Sequence, residues 1–168
     1  MLRDPDGRFT LGPTRDWALH AKPDGTADLE CLFAACEGIP SSVRRQFCTL
    51  SAEKTAAPDT APDATLAAFS RTDFERAAAR FLTRNPELRL SVSTEPESVR
   101  LALVPWVRAS LLGSISPGHT VEGTILMTKR GAVLLTLTCA FAERRWTEFG
   151  PKLEALAGTL TWTPKPPK

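Results

Sequence analysis

Val121–Phe141, VEGTILMTKRGAVLLTLTCAF, is the stretch that decides the fold. Its bulky apolar residues recur at every second position on both sides of Lys129-Arg130-Gly131, as in two β-strands joined by a tight turn. On the second limb Val133, Leu135, Leu137, Cys139 and Phe141 share one face, with Ala132, Thr136, Thr138 and Ala140 on the other. On the first limb Val121, Gly123, Ile125 and Met127 alternate with Glu122, Thr124, Leu126 and Thr128. A one-residue slip turns a whole face outward, so parity chooses the register. A two-residue loop at Lys129-Arg130 sets Leu126 against Val133 and buries Glu122 against Leu137. A three-residue loop, Lys129 to Gly131, sets Met127 against Val133 and Ile125 against Leu135, with Gly131 at the positive-φ position. The three-residue loop is the expected one. Thr124, Leu126, Leu134, Thr136 and Thr138 then form a second, more polar face, either covered by a helix or used to dock a partner protein.

Upstream, Arg8–Leu11 and Trp17–Ala21 read as short strands, followed by the turn Lys22-Pro23-Asp24-Gly25. Leu29–Cys36 alternates as a third strand and Arg44–Leu50 as a fourth. SAEKTAAPDTAPDAT, residues 51–65, lacks bulky apolar groups to offset the entropy of ordering and is expected to be a mobile loop. Leu66–Asn85 has the helical spacing Phe74, Ala78, Phe81, Leu82, with Thr72 and Glu75 as a capping box and Asn85-Pro86 as its stop. Leu88–Ser93 and Val99–Val104 read as a hairpin around Thr94–Glu97, and Trp106–Leu112 as a further strand. Downstream, Thr147–Ala157 reads as a helix with Pro151 in its first turn and Gly158 past its end. Thr159–Trp162 is a last strand, and TPKPPK (163–168) an extended tail. The expectation is an α+β domain over residues 1–162, with a twisted antiparallel sheet flanked by two main helices.

The 168 residues are 42% apolar and 24% charged with net charge +2, too little charge to argue for nucleic acid. No apolar run approaches the roughly 20 residues of a membrane span. The opening MLRDPDG lacks an apolar leader, so a cytoplasmic location is expected if Met1 is not a mature terminus. Cys31, Cys36, Cys48 and Cys139 are accordingly expected to be reduced, buried thiols.

Candidate chemistry is sparse. Ser51 and Lys54 match the S-x-x-K spacing of some serine acyl-enzymes, but S-D-N and K-T-G companions are missing and the segment opens a loop. His20 and His119 stand far apart without C-x-x-C or H-x-x-x-H spacing, so no metal is expected. Glu95 and Glu97 flank Pro96 in a solvated turn. Arg44-Arg45 and Arg144-Arg145 are dibasic pairs. The second adjoins Trp146 and is explained as well by a helix entrance as by a phosphate site.

The order of elements, from FTLGPTRDW (residues 9–17) to GAVLLTLTCA, WTEFGPKLEALA and TLTW near the C-terminus, resembles a superfamily that includes the photosystem II extrinsic subunit P and a Ran-binding nuclear-import factor. It is most similar to small bacterial members, among them adaptor chaperones of type VI secretion effectors. The resemblance implies an α/β/α sandwich and no cofactor. It also implies non-catalytic work done by binding another protein, as a cytosolic adaptor or chaperone or as an envelope or assembly factor. A second copy of the chain is a further candidate partner, and residues 37–65 fit the pattern loosely.

Overall fold

The computed structural model describes residues 1–58, 69–115 and 118–164. Its strands are β1 (Leu2–Arg3), β2 (Phe9–Leu11), β3 (Trp17–Ala21), β4 (Thr26–Cys31), β5 (Cys48–Lys54), β6 (Leu88–Val92), β7 (Glu97–Leu101), β8 (Val104–Ile115), β9 (His119–Arg130), β10 (Val133–Ala142) and β11 (Thr161–Trp162). The α-helices are α1 (Ser41–Arg44), α2 (Arg71–Arg84) and α3 (Glu143–Ala157). A large antiparallel sheet runs β3-β4-β5-β10-β9-β8-β6, with β7 beside β6 on the outer edge of β8; β1, β2 and β11 make a small second sheet. The expected α+β sandwich is present.

The central hairpin forms in a register other than the expected one. Arg130 pairs with Val133, Leu126 with Leu137 and Glu122 with Phe141. The loop is the two residues Gly131-Ala132, with Gly131 at φ +58°, the first central position of a type II′ turn. Thr124 and Leu126 therefore share a face with Leu137 and Cys139, while Ile125 and Met127 share the other with Thr136 and Thr138. Parity failed because the sheet is covered on both sides, so there is no single inward face for it to select. Glu122 avoids central burial by standing opposite Phe141, near the end of the sheet.

One face packs Leu29, Leu50, Trp106, Leu126, Leu135 and Leu137 against Phe149, Leu153 and Leu156 of α3. The other packs Val107, Ala109, Leu111, Ile125 and Met127 against Phe74, Ala77 and Ala78 of α2. Each fully buried Leu or Phe contributes about 1.5–3 kcal/mol of transfer free energy, so both helices are held by their apolar stripes.

Other expectations change. The third strand ends at Cys31 and gives way to a 3₁₀ turn, Ala34–Cys36. Residues 41–44 are helical, and β5 runs on through Lys54, so the start of the expected loop is strand. The remainder of that loop from residue 59, and the tail from residue 165, lie outside the described residues. Helix α2 is capped by Ser70 and Asp73, not by Thr72 and Glu75; each side chain meets the other's backbone amide in a capping box. β6 and β7 do not pair with each other. They lie end to end along β8, whose 12 residues are long enough for both. Helix α3 begins at Glu143, four residues early, which puts Pro151 in its interior and costs one rung of the ladder.

The four cysteines are not reduced. Cys31 bonds Cys36 (Cα–Cα 6.1 Å) and Cys48 bonds Cys139 (Cα–Cα 4.2 Å), with no free cysteine. Cys48 and Cys139 are register partners on β5 and β10. Ala140 N–H donates to the Phe47 carbonyl at 3.0 Å, so the next pair along is the closely spaced, non-hydrogen-bonded one that a cross-strand bridge can join. The expectation of thiols rested on an expected cytoplasmic location and on burial, and burial holds for cystine equally well.

Candidate functional site

The amphipathic groove at one end of the large sheet is the strongest candidate for a binding site. It lies where β8, β9 and β10 meet the start of α3, the end of α2 and the segment before β5, and encloses about 400 Å³. Its floor is apolar: Phe47, Val121, Ala140 and Phe141. Phe47 meets Phe141 edge-on at 4.7 Å, Phe141 stacks on Phe149 at 4.7 Å, and Trp146 stacks on the other side of this cluster, 5.6 Å from Phe149. Phe149 is fully buried, so the floor rests on rigid core. At the wall, the buried Asn85 donates its side-chain amide to the Phe81 carbonyl at 3.0 Å and closes the end of α2.

The rim is charged. Arg144, Arg145 and His119 line it together with Glu37 and Glu87. Arg144 and Arg145 occupy the first turn of α3, next to the positive end of the helix dipole, where cations weaken a helix by a few tenths of a kcal/mol each. Both are exposed, and among the described residues neither has a carboxylate within ion-pair distance. The other dibasic pair behaves differently. Arg44 and Arg45 converge on the buried Glu30 carboxylate at 3.0 and 3.3 Å, joined by His20 at 2.9 Å. The Ser41 hydroxyl, then His20 and the two arginines, outweigh burial and hold the Glu30 carboxyl below its usual range. That cluster is a clamp fastening α1 to β4.

The five residues expected to form one docking face do not form one. Thr124 and Leu126 lie in the α3-side core, the Thr124 hydroxyl donating to the Ala109 carbonyl at 3.1 Å. Leu134, Thr136 and Thr138 point to the α2 side. Thr136 and Thr138 line a separate cleft under α2. Ser51 and Lys54 are not brought together: three apart on a strand, they project to opposite faces, where S-x-x-K needs one helical turn. Glu95 and Glu97 are held apart by different arginines, Arg71 and Arg108, each at 2.6 Å. Trp146 packs against Phe149 as a helix-entrance aromatic. His119 reaches the groove rim. The groove was missed because its floor and walls come from six separate stretches of sequence; the Arg144-Arg145 pair at a helix start was the only local signal.

Among the described residues no three His, Cys, Asp or Glu side chains are placed to hold a metal, and no described helix is long and apolar enough to cross a membrane. No known family's sequence description matches the chain, and no curated protein matches it in sequence. Solved structures do. The solution structure of cyanobacterial PsbP (CyanoP) from Synechocystis superposes with TM-score 0.61 at 12% identity, over 96% of this chain and 91% of that one. A Bacteroides thetaiotaomicron protein gives 0.55 at 13%, over 98% of this chain but 48% of that one, so this chain spans about half its length. LpqN, described as involved in cell envelope biogenesis of Mycobacterium tuberculosis, gives 0.50 at 16%, over 93% and 83%. At these identities the likeness shows a shared PsbP-like fold.

Proposed function

We propose that this chain is a non-catalytic protein-binding domain that works in an oxidising compartment such as the cell envelope, holding an amphipathic, partly acidic segment of another protein in the end-of-sheet groove. The observation that carries the binding role is the open apolar floor of Phe47, Val121 and Phe141 beneath two arginines without carboxylate partners. A surface that is apolar and edged by cations suits a segment with bulky side chains facing in and carboxylates facing the rim. The two internal disulfides support the compartment in this reading, because such bonds persist where glutathione and thioredoxin do not reduce them. The fold shared with LpqN, a protein described as involved in cell envelope biogenesis, fits that reading.

The same binding role exercised in the cytoplasm, as an adaptor for a secreted effector, is the reading the sequence resemblance favours; it requires the four cysteines to be thiols in the cell. Acid-quenched alkylation of the protein in its own cells separates the two: blocked cysteines support the envelope reading, four labelled thiols the adaptor. Binding itself is tested by placing a photo-crosslinking amino acid at Thr120 and combining it with Arg144→Glu/Arg145→Glu. A specific crosslinked protein that disappears in the charge-reversed variant supports the groove. Crosslinks unchanged by charge reversal remove it.

A further inference from the structure

We infer that the cleft beneath α2 is a binding site for a neutral saccharide unit. The register of the sheet builds it. Thr26 pairs with Ser51 and Ser51 with Thr136; one step along, Asp28 pairs with Thr49 and Thr49 with Thr138. Cross-strand partners share a face, so three strands present two parallel polar rows to the α2 side. Farther along the same face, β8 and β9 carry Val107, Ala109, Leu111, Ile125 and Met127, which α2 covers tightly. The face thus changes from apolar to hydroxyl-bearing at β10. There α2 stands off and leaves a cavity of about 260 Å³.

The other buried hydroxyls among the described residues have protein partners. Thr124 and Thr128 donate to the Ala109 and Pro105 carbonyls at 3.1 and 2.8 Å. Thr136 and Thr138 are only 8% and 3% exposed, yet among the described residues their hydroxyls, like those of Thr49 and Ser51, find no protein partner and open onto the cleft. Four hydroxyls together on a cavity floor, open to the cleft and unpaired within the protein, suit a ligand whose groups both donate and accept.

The rim narrows the ligand class. Arg80 is paired with Glu53, and Arg84 with Asp24 at 3.4 Å. Both guanidinium groups are already neutralised, so an anion would have to displace a carboxylate. A ring of hydroxyls can instead donate to the carboxylates, accept from the arginines and exchange hydrogen bonds with the floor. Its C–H face meets the apolar wall of Ala77 and Phe81. The volume falls below the roughly 300 Å³ at which drug-sized pockets begin, room for about one pyranose ring.

This site is independent of the groove at the sheet end, and its failure leaves that reading intact. The test is amide chemical-shift titration of the full chain with glucose, galactose, mannose and N-acetylglucosamine, each as the methyl glycoside. At least one is expected to bind in the millimolar range and shift Ser51, Thr136 and Thr138. Thr136→Val/Thr138→Val, which keeps side-chain shape, should weaken it tenfold or more while leaving thermal unfolding unchanged or raised. Ser51→Ala serves should the double variant not fold. The inference is overturned by silence with all four sugars, by binding unaffected by these variants, or by shifts appearing at Arg80 and Arg84 with inorganic phosphate and not with sugar.

Discussion

Opening the Cys48–Cys139 bridge tests both the fold and the compartment. The bridge joins strands at the middle of the sheet and spans a sequence separation of 91 residues. By the loop-closure relation, tying so long a loop restricts the unfolded chain by about 4.6 kcal/mol; Cys31–Cys36, separated by 5, gives only about 2. Most of the stabilisation from cross-linking, about two thirds, therefore resides in the cross-strand bridge. For a chain of this size each kcal/mol moves the unfolding midpoint by about 2–4 °C, so loss of that bridge lowers Tm by roughly 10–18 °C. The clean experiment reduces the protein in denaturant, refolds it with a non-thiol reductant and compares its thermal unfolding with the oxidised form. Reduction leaves both buried side chains in place, so no cavity term confuses the comparison. Reduction opens both bridges, so the same oxidised-against-reduced comparison in Cys31→Ala/Cys36→Ala, which keeps only the cross-strand bridge, isolates its share. Two results refute the reasoning: midpoints within about 2 °C for oxidised and reduced protein, or native mass equal to that of the fully reduced chain.

Three further outcomes are expected. Glu30 has a carboxyl pKa lowered below its ordinary value of 4.5, with the Ser41 hydroxyl the largest cause. A depressed carboxylate stabilises the fold above its unfolded pKa and loses that contribution as pH falls through the folded value, so stability should drop below about pH 4.5. Glu30→Gln should cost about 2 kcal/mol at neutral pH and flatten that acid slope in urea titrations at stepped pH. Gly113→Ala places a Cβ 1.7 Å from the Arg89 carbonyl oxygen, so β6 must shift; about 3 kcal/mol of lost stability and faster exchange of the β6 amides are expected, and a neutral effect would show that edge to be loose. Phe149→Ala, at the centre of Trp17, Phe33, Phe141 and Trp146, should cost about 3–5 kcal/mol by chemical denaturation and weaken any partner binding with it, because Phe141 loses its support.

What could be read without coordinates follows from how local each signal is. The limbs of the central hairpin, the apolar stripe of α2 and Phe149-Leu153-Leu156 of α3 are encoded within one or two turns or strands, and all are present. Register is not local in that sense. Choosing between Leu126 and Met127 as inward-facing required knowing that Phe74 and Ala78 of α2 cover one side while Phe149 of α3 covers the other. The disulfides depend on register too, since Cys48 and Cys139 meet only because β5 pairs with β10 as it does. The same dependence hid the binding surfaces: the groove gathers Phe47, Val121 and Phe141, and the cleft gathers Ser51 and Thr136, from strands distant in sequence.

A sheet covered on both faces leaves few places for a partner to touch it. The middle of each face belongs to a helix, so accessible surface is confined to edges, ends and gaps where a helix stands off. The groove is an end and the hydroxyl cleft is such a gap. Their chemistries differ for a reason that lies in the strands beneath them. The groove sits over the Phe141 end of β10, where apolar residues outrun the cover of α3; the cleft sits over Thr136 and Thr138, where α2 presents the small Ala77 beside Phe81, Arg80 and Arg84. Enlarging Ala77 is thus a direct probe of the architecture. Ala77→Leu should fill the cleft and abolish sugar-induced shifts while leaving Arg144-dependent crosslinking at the groove intact. Loss of both together would mean that the two faces of the sheet are coupled through β10 and that neither surface can be treated as a site of its own.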